Sequence, residues 1–201
     1  MSASFSALLL AGGKSTRLGR DKAFLKIGGV PLWQRQLHTL RQLTPDELFL
    51  AGPRTAEWMS ACDEIVTDAR AHAGPLAGLV AGLRRCHSAA LLTLAIDLPQ
   101  MTATYLRHLV DACALDSGIV PTREGRLEPL AAIYPVTSLG LAEELLLGQN
   151  YSLQEFGRRC LAQGLLRPRP IALNEEVLFF NLNTPADWDA AKRARVSLGG
   201  G

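Results

Sequence analysis

Residues 8–22 read Leu8-Leu9-Leu10-Ala11-Gly12-Gly13-Lys14-Ser15-Thr16-Arg17-Leu18-Gly19-Arg20-Asp21-Lys22. An apolar run beginning at Ala7 stops at two glycines and gives way to cations. Such a run reads as a strand covered on both faces. Gly12 and Gly13 let the backbone turn tightly, with no Cβ to keep a neighbour away. Consecutive amides in a turn of this kind form an anion-binding concavity. Lys14, Arg17 and Lys22 follow within a few residues, with Asp21 opposing them. The guest this predicts is a polyphosphate at the carboxyl end of a buried strand. A solvated basic turn is the plainer alternative, but it does not explain why the cations gather beside paired glycines.

Two familiar phosphate loops are excluded. Gly13-Lys14-Ser15 imitates the end of G-x-x-x-x-G-K-S/T, yet the first glycine would fall at Leu8, inside the strand. There is no G-x-G-x-x-G either, so the dinucleotide fingerprint is missing. What remains is a longer loop carrying Lys14, Ser15, Thr16, Arg17 and Lys22.

Outward from the loop, strand-like and helix-like segments alternate. Helices are expected at Pro31–Leu43, Ala56–Cys62 and Leu76–Cys86, and from a Thr102 cap to about Leu115. Strands are expected at Glu47–Ala51, Ile65-Val66, Ala89–Ile96 and Gly118–Pro121. This order implies βαβ units and a mostly parallel sheet. After Pro121 the pattern breaks, and Leu127–Tyr134 is expected as an antiparallel or edge addition. Leu139–Leu147 and Ser152–Leu161 read as helices, Pro170–Leu173 and Val177–Asn181 as extended. Thr184, Pro185 and Asp187 supply the cap, first-turn proline and acidic third residue of a last helix. The fold class is therefore α/β, a Rossmann-like three-layer arrangement with an antiparallel addition. Residues 1–195 are expected to form one domain and residues 196–201 a flexible tail.

Asp97 ends the buried run Ala89–Ile96 and precedes Leu98-Pro99, a strand-end position facing the same crevice as the glycine loop. A carboxylate beside a triphosphate most simply holds Mg²⁺, which takes one or two protein carboxylates and keeps several waters. The competing role is a cap for the helix near Thr102. Asp68 follows a short strand and is a candidate nucleoside contact or a turn residue. In the second half, Glu128-Pro129-Leu130 and Asn181-Leu182-Asn183-Thr184-Pro185 set polar groups beside apolar runs. Asn181 and Asn183 would share a face of an extended segment and could read a heterocycle through their amides. Capping of the last helix is the alternative for Asn183.

Composition narrows the partners. Among 201 residues, 48% are hydrophobic and 20% charged, with a net charge of +2, which gives none of the broad basic field of a nucleic-acid binder. No apolar run approaches the roughly 18 residues of a membrane span. The first apolar run has no basic region ahead of it and carries Gly-Gly-Lys where an export signal would end, so a cytoplasmic protein is expected. Cys62, Cys86, Cys113 and Cys160 are scattered with no C-x-x-C pair, and are expected to be buried reduced thiols.

Taken together these residues resemble the molybdenum cofactor guanylyltransferases. Leu10-Ala11-Gly12-Gly13 with Ser15, Arg17, Gly19, Asp21 and Lys22 is similar to that family's L-A-G-G-x-S-x-R-x-G-x-D-K signature. Gly74-Pro75-Leu76-Ala77-Gly78, Asp97-Leu98-Pro99, Glu128-Pro129-Leu130 and Asn181–Pro185 recur in the family's order, so the resemblance spans nearly the whole chain. It departs at Ile96 and Leu98, where many members carry Cys or Gly before the aspartate and Met or Thr after it. It departs again at Ala51-Gly52-Pro53, where relatives place an Asn near the nucleoside. The resemblance implies GTP as donor, Mg²⁺ as cofactor and molybdopterin as acceptor. It places Leu10, Ala11, Gly12, Lys22, Asp68 and Asp97 at the GTP site, with the metal on Asp97, and the loop reading adds Gly13, Lys14 and Ser15. Lys22, Arg17 and Asp97 become the catalytic set, and Glu128, Asn181 and Asn183 the acceptor side. Transient contact with cofactor-delivery proteins or molybdoenzymes also follows from it. A cytidylyltransferase for the same cofactor, a sugar-type nucleotidyltransferase and a non-catalytic nucleotide-binding regulator are the alternative readings.

Overall fold

The computed structural model describes residues 4–12, 22–53, 55–67, 73–114 and 117–196. The chain opens with β1 (Phe5–Leu10), every residue of which is buried. A small hairpin of β2 (Lys26–Ile27) and β3 (Val30–Pro31) turns through Gly28 and Gly29, both at positive φ, as a tight two-residue turn demands. Then come α1 (Leu32–Arg41), β4 (Leu48–Ala51), α2 (Ala56–Met59), β5 (Glu64–Val66), α3 (Gly74–Arg85), β6 (Ala90–Ala95) and α4 (Ala103–Ala112). The second half supplies β7 (Gly118–Arg123), β8 (Arg126–Leu127), β9 (Ala131–Pro135), α5 (Leu139–Leu147), α6 (Leu153–Ala162), β10 (Leu166–Pro170) and α7 (Pro185–Val196).

Among the described residues the main sheet has the order β10-β7-β9-β6-β1-β4-β5, with β8 paired to β7. β6, β1, β4 and β5 run parallel to one another, and β10 runs parallel to β7. β9 is antiparallel to both β6 and β7, which realises the expected antiparallel addition. Because β9 reverses between them, β6 and β7 point the same way. All the parallel strands therefore end at one rim.

Alternation along the strands sends successive side chains to opposite faces. Ala7, Leu9, Leu50, Leu92 and Leu94 pack with Leu32, Leu37 and Leu40 of α1 and Leu106 and Leu109 of α4. Leu8, Leu10, Phe49 and Leu91 pack with Leu76, Leu79, Val80 and Leu83 of α3 and Leu145 of α5. Each fully buried leucine contributes about 1.5–3 kcal/mol of transfer free energy, so two such layers fix the sheet between its helices.

Several segments differ from the sequence reading. The last strand is Leu166–Pro170, not residues 170–173, and residues 173–179 form a 3₁₀ turn where 177–181 was expected extended. Leu127–Tyr134 divides into β8 and β9 around Glu128-Pro129-Leu130. Among the cysteines only Cys160 is fully buried; Cys62, Cys86 and Cys113 are half-buried free thiols. No helix among the described residues is long and apolar enough to cross a membrane.

Candidate active site

Register places the candidate residues along one rim. Leu10 of β1 pairs with Ala51 of β4 on one side and Ala95 of β6 on the other. The Ala11 amide donates to the Ala51 carbonyl at 2.9 Å, and the Ile96 amide donates to the Leu10 carbonyl at 3.0 Å. Leu10 is thereby tied to the segment that leads into Asp97 and Ala11 to β4, with Gly12 next in the chain. Among the described residues, the nearest atom that an added Cβ on Gly12 would meet is the Ala51 carbonyl oxygen, 3.8 Å away. Gly13, Lys14, Ser15, Arg17 and Asp68 lie outside the described residues.

Asp97 sits in the turn after β6. Its backbone carbonyl accepts from the Leu182 amide at 2.9 Å, and the next carbonyl, of Leu98, accepts from the buried Gln36 side chain at 2.6 Å. Thr102, not Asp97, caps α4, accepting from the Tyr105 amide at 3.2 Å. The capping alternative for Asp97 is thereby removed. Its carboxylate meets Lys22 instead, with Nζ 3.6 Å from Oδ2, and both side chains are largely buried. Burial pushes the Asp97 carboxyl above the usual carboxylate range, against the opposing pull of the Lys22 ammonium.

The other carboxylate oxygen, Oδ1, is buried with no hydrogen-bond partner among the described residues. An unsatisfied buried carboxylate oxygen is costly unless a partner completes it. A hard divalent cation is such a partner. Among the described residues no three His, Cys, Asp or Glu side chains converge as a metal cluster. One carboxylate with substrate phosphates and water completing the shell is the usual way Mg²⁺ is held, so the residues present fit that ion.

Lys22 opens a short 3₁₀ turn, Lys22–Phe24. Besides Asp97, its ammonium donates to Asn183 Oδ1 at 2.8 Å. Asn183 is presented by the start of α7, where the Asp187 carboxylate accepts from the Asn183 and Thr184 amides at 2.9 and 2.7 Å. The expected cap, Thr184 with Asp187, is in place. Asn183 therefore sits on Lys22, beside Asp97. Asn181 turns its amide to the Phe179 carbonyl at 3.5 Å.

Glu128 lies farther along the rim, between β8 and β9. The Ala95 amide donates to the Leu130 carbonyl at 2.8 Å. The Pro129 carbonyl accepts from Tyr134 Oη at 2.8 Å and Thr93 Oγ1 at 3.5 Å. Gln154 of α6 brackets Leu127, donating to its carbonyl at 2.7 Å and accepting from its amide at 3.3 Å. Burial raises the Glu128 carboxyl, opposed by Arg123 and Arg126. Nearby on β10, Arg169 forms a two-point pair with Glu175 at 2.7 and 2.9 Å, and donates to Tyr105 Oη at 2.9 Å.

The residues that hold this rim were missed in the sequence: Gln36, Thr93, Tyr134, Gln154 and Arg169. For Gln36 a signal existed. It stands between Leu32 and Leu40 at four-residue steps on the apolar stripe of α1, where a polar side chain needs a buried partner.

Residues 7–165 match the family model of the MobA-like NTP transferase domain. A probable molybdenum cofactor guanylyltransferase from Opitutus terrae is 36% identical over 199 residues, covering 96% of this chain and 98% of its own. A molybdenum cofactor guanylyltransferase from Pseudomonas putida is 31% identical over 163 residues, covering 80% of this chain and 85% of its own. In architecture the chain is similar to molybdopterin-guanine dinucleotide biosynthesis protein A from Archaeoglobus fulgidus. That match has a TM-score of 0.76 at 24% identity, covering 96% and 99% of the two chains.

Proposed function

The chain belongs to the MobA-like NTP transferase family, and from that premise we propose that it transfers GMP from GTP to the phosphate of molybdopterin, releasing pyrophosphate. The observation that carries the reading is the meeting of Lys22 and Asp97, 3.6 Å apart, beside Leu10–Gly12 at the carboxyl ends of β1 and β6. Ligands of open α/β sheets bind outside those ends.

In the reaction an oxygen of the acceptor phosphate attacks the α-phosphorus of GTP, and the bond to the bridging oxygen breaks as pyrophosphate leaves. The attacking phosphate is already ionised at neutral pH, so no side chain has to remove a proton. Such transfer depends on alignment and charge neutralisation more than on covalent help. The Gly12 amide, with Gly13, Lys14, Ser15 and Arg17 beyond it, binds the triphosphate beside Leu10 and Ala11. Asp68 contacts the nucleoside. Lys22 carries an ammonium to the charge developing around the α-phosphorus. Asp97 is the residue that would hold Mg²⁺, which when bound neutralises phosphate oxygens and helps align them.

On the acceptor side, Glu128 and Asn181 offer a carboxylate and an amide to the pterin. Hydrogen bonds from Gln154 to the Leu127 carbonyl and from Thr93 and Tyr134 to the Pro129 carbonyl fix the backbone on either side of the half-buried Glu128, which offers its carboxylate to donors on a heterocycle. The reaction belongs in the cytoplasm, where molybdoenzymes or delivery proteins would collect the product.

The test is pyrophosphate release by the full chain with molybdopterin and Mg²⁺, run separately with GTP, CTP, ATP and UTP. Release with GTP well above the others is the expected result. Release with CTP instead would reassign the donor. Nucleotide binding with no release from any donor would reassign the chain as a regulator.

A further inference from the structure

The contact between Lys22 and Asp97 has a partner that nucleotide chemistry alone does not require. Asn183 Oδ1 accepts from the same ammonium at 2.8 Å. Asn183 is itself fixed, since its backbone amide donates to Asp187 Oδ2 at 2.9 Å. The adjoining Leu182 amide donates to the Asp97 carbonyl at 2.9 Å. One short segment, Leu182–Asp187, therefore anchors the Asp97 backbone and, through Asn183, the lysine head beside it. The ammonium lies on Asp97 Oδ2 at salt-bridge distance, where its charge competes with any other cation for that carboxylate.

We propose that Lys22 is the resident counter-cation of Asp97 in the ligand-free chain, with Asn183 as the positioning residue that parks it there. A divalent cation arriving at Asp97 displaces the ammonium, which then turns to the triphosphate. The exchange rests on the reading of Asp97 as the metal carboxylate. It adds a coupling to that reading: the lysine reaches the phosphates only once the cation has arrived. It also gives Asn183 a role through Lys22 on the nucleotide side, distinct from contact with the acceptor.

Binding of Mn²⁺ to the nucleotide-free full chain, followed by electron paramagnetic resonance, tests the exchange without any turnover. Asp97→Asn is expected to abolish the site. Lys22→Met removes a competing charge 3.6 Å from the carboxylate and is expected to tighten Mn²⁺ binding about tenfold or more. Lys22→Gln, which keeps a donor for Asn183 without the charge, is expected to tighten it similarly. Asn183→Ala removes one hydrogen bond from the parked lysine and is expected to tighten binding roughly two- to tenfold. Added to Lys22→Met, Asn183→Ala should give no further gain, because it acts only through the lysine. Thermal unfolding of each variant checks that the fold is retained.

Binding that depends on Asp97 but is unchanged or weakened in both Lys22 variants would overturn the exchange while leaving the metal carboxylate in place. Binding equal in the wild-type chain and Asp97→Asn would overturn the metal reading itself, and the exchange with it. A gain from Asn183→Ala that persists fully on top of Lys22→Met would remove Asn183 from the device.

Discussion

The side-chain amide of Gln36, on α1, donates to the carbonyl of Leu98 at 2.6 Å in the buried interior. Gln36 is almost fully buried, and so is Leu98. The bond joins the first helix of the fold to the residue after Asp97. The turn bearing the candidate metal carboxylate is thus held from beneath by α1 and from the far end of the chain by Leu182.

Gln36→Leu keeps the size of the side chain and removes the donor, leaving a buried carbonyl unsatisfied. That costs about 1–3 kcal/mol and loosens the seat of Asp97. A lower urea midpoint together with a fall in turnover is expected. A variant with unchanged midpoint and unchanged turnover would show that the bond holds nothing.

Asp97 itself is expected to be held for function at the expense of stability. Its carboxyl lies above the unfolded value because burial outweighs the help from Lys22. A carboxyl raised in this way favours the fold below the unfolded value and loses that contribution as pH rises through the folded one. At neutral pH the ionised group is therefore a cost. Asp97→Asn is expected to unfold at the same or a higher urea concentration at pH 7, and the difference should shrink in acid. A clearly lower midpoint at pH 7 would contradict this.

At the opposite end of the sheet the sign reverses. Hydrogen bonds from Ser4 and Ser88 hold the Asp46 carboxyl below its ordinary range. Glu47 is also held low: against the cost of burial, it accepts from the His87 amide and ring and from Ser6. Lowered carboxyls contribute stability above their unfolded values and lose it as pH falls through the folded ones. Because Ser6 is the second residue of β1 and Ser88 precedes β6, acid should loosen the starts of the central strands. The double variant Asp46→Asn, Glu47→Gln is expected to show a flatter fall of unfolding temperature below the carboxylate range. Identical acid limbs would refute the assignment.

Gly118 is required by close approach. A Cβ there would overlap the Ile133 carbonyl oxygen and lie 2.8 Å from Leu166 Cδ2, where β7 is flanked by β9 and β10. Gly118→Ala is expected to cost about 1–3 kcal/mol, at the upper end because backbone cannot yield cheaply. At Gly157 the added Cβ would meet the end of the flexible Leu127 side chain, at 2.5 Å. Gly157→Ala should therefore cost less. Equal urea midpoints for the two variants would contradict the packing argument.

The central strands and their rim were legible because buried parallel strands read as near-continuous apolar runs, as Ser6–Leu10 and Ala89–Ile96 do. Asp97 could be placed at a strand end for the same reason. The strand at Leu166–Pro170 was hidden: its Leu-Arg-Pro-Arg-Pro sequence is tolerated only because β10 is an edge strand, where proline and charge block further pairing. Residues 173–179 misled through local composition, since a 3₁₀ turn leaves no periodic apolar signature of its own. The meeting of Lys22 with Asn183 joins residues 161 positions apart, and no local pattern records it. Asn183 could be read as a cap or a pterin contact, but not as the lysine's partner.

Guanylyl transfer at this rim depends on both Asp97 and Lys22. Its most direct measurement is the yield of the guanine dinucleotide product, detected by mass, from GTP, molybdopterin and Mg²⁺. The wild-type chain is compared with Lys22→Ala and with Asp97→Asn. Product from the wild-type chain, with each variant slower by roughly 10²–10³, is the expected result. Wild-type rates in both variants, or no product from the wild-type chain, would contradict it.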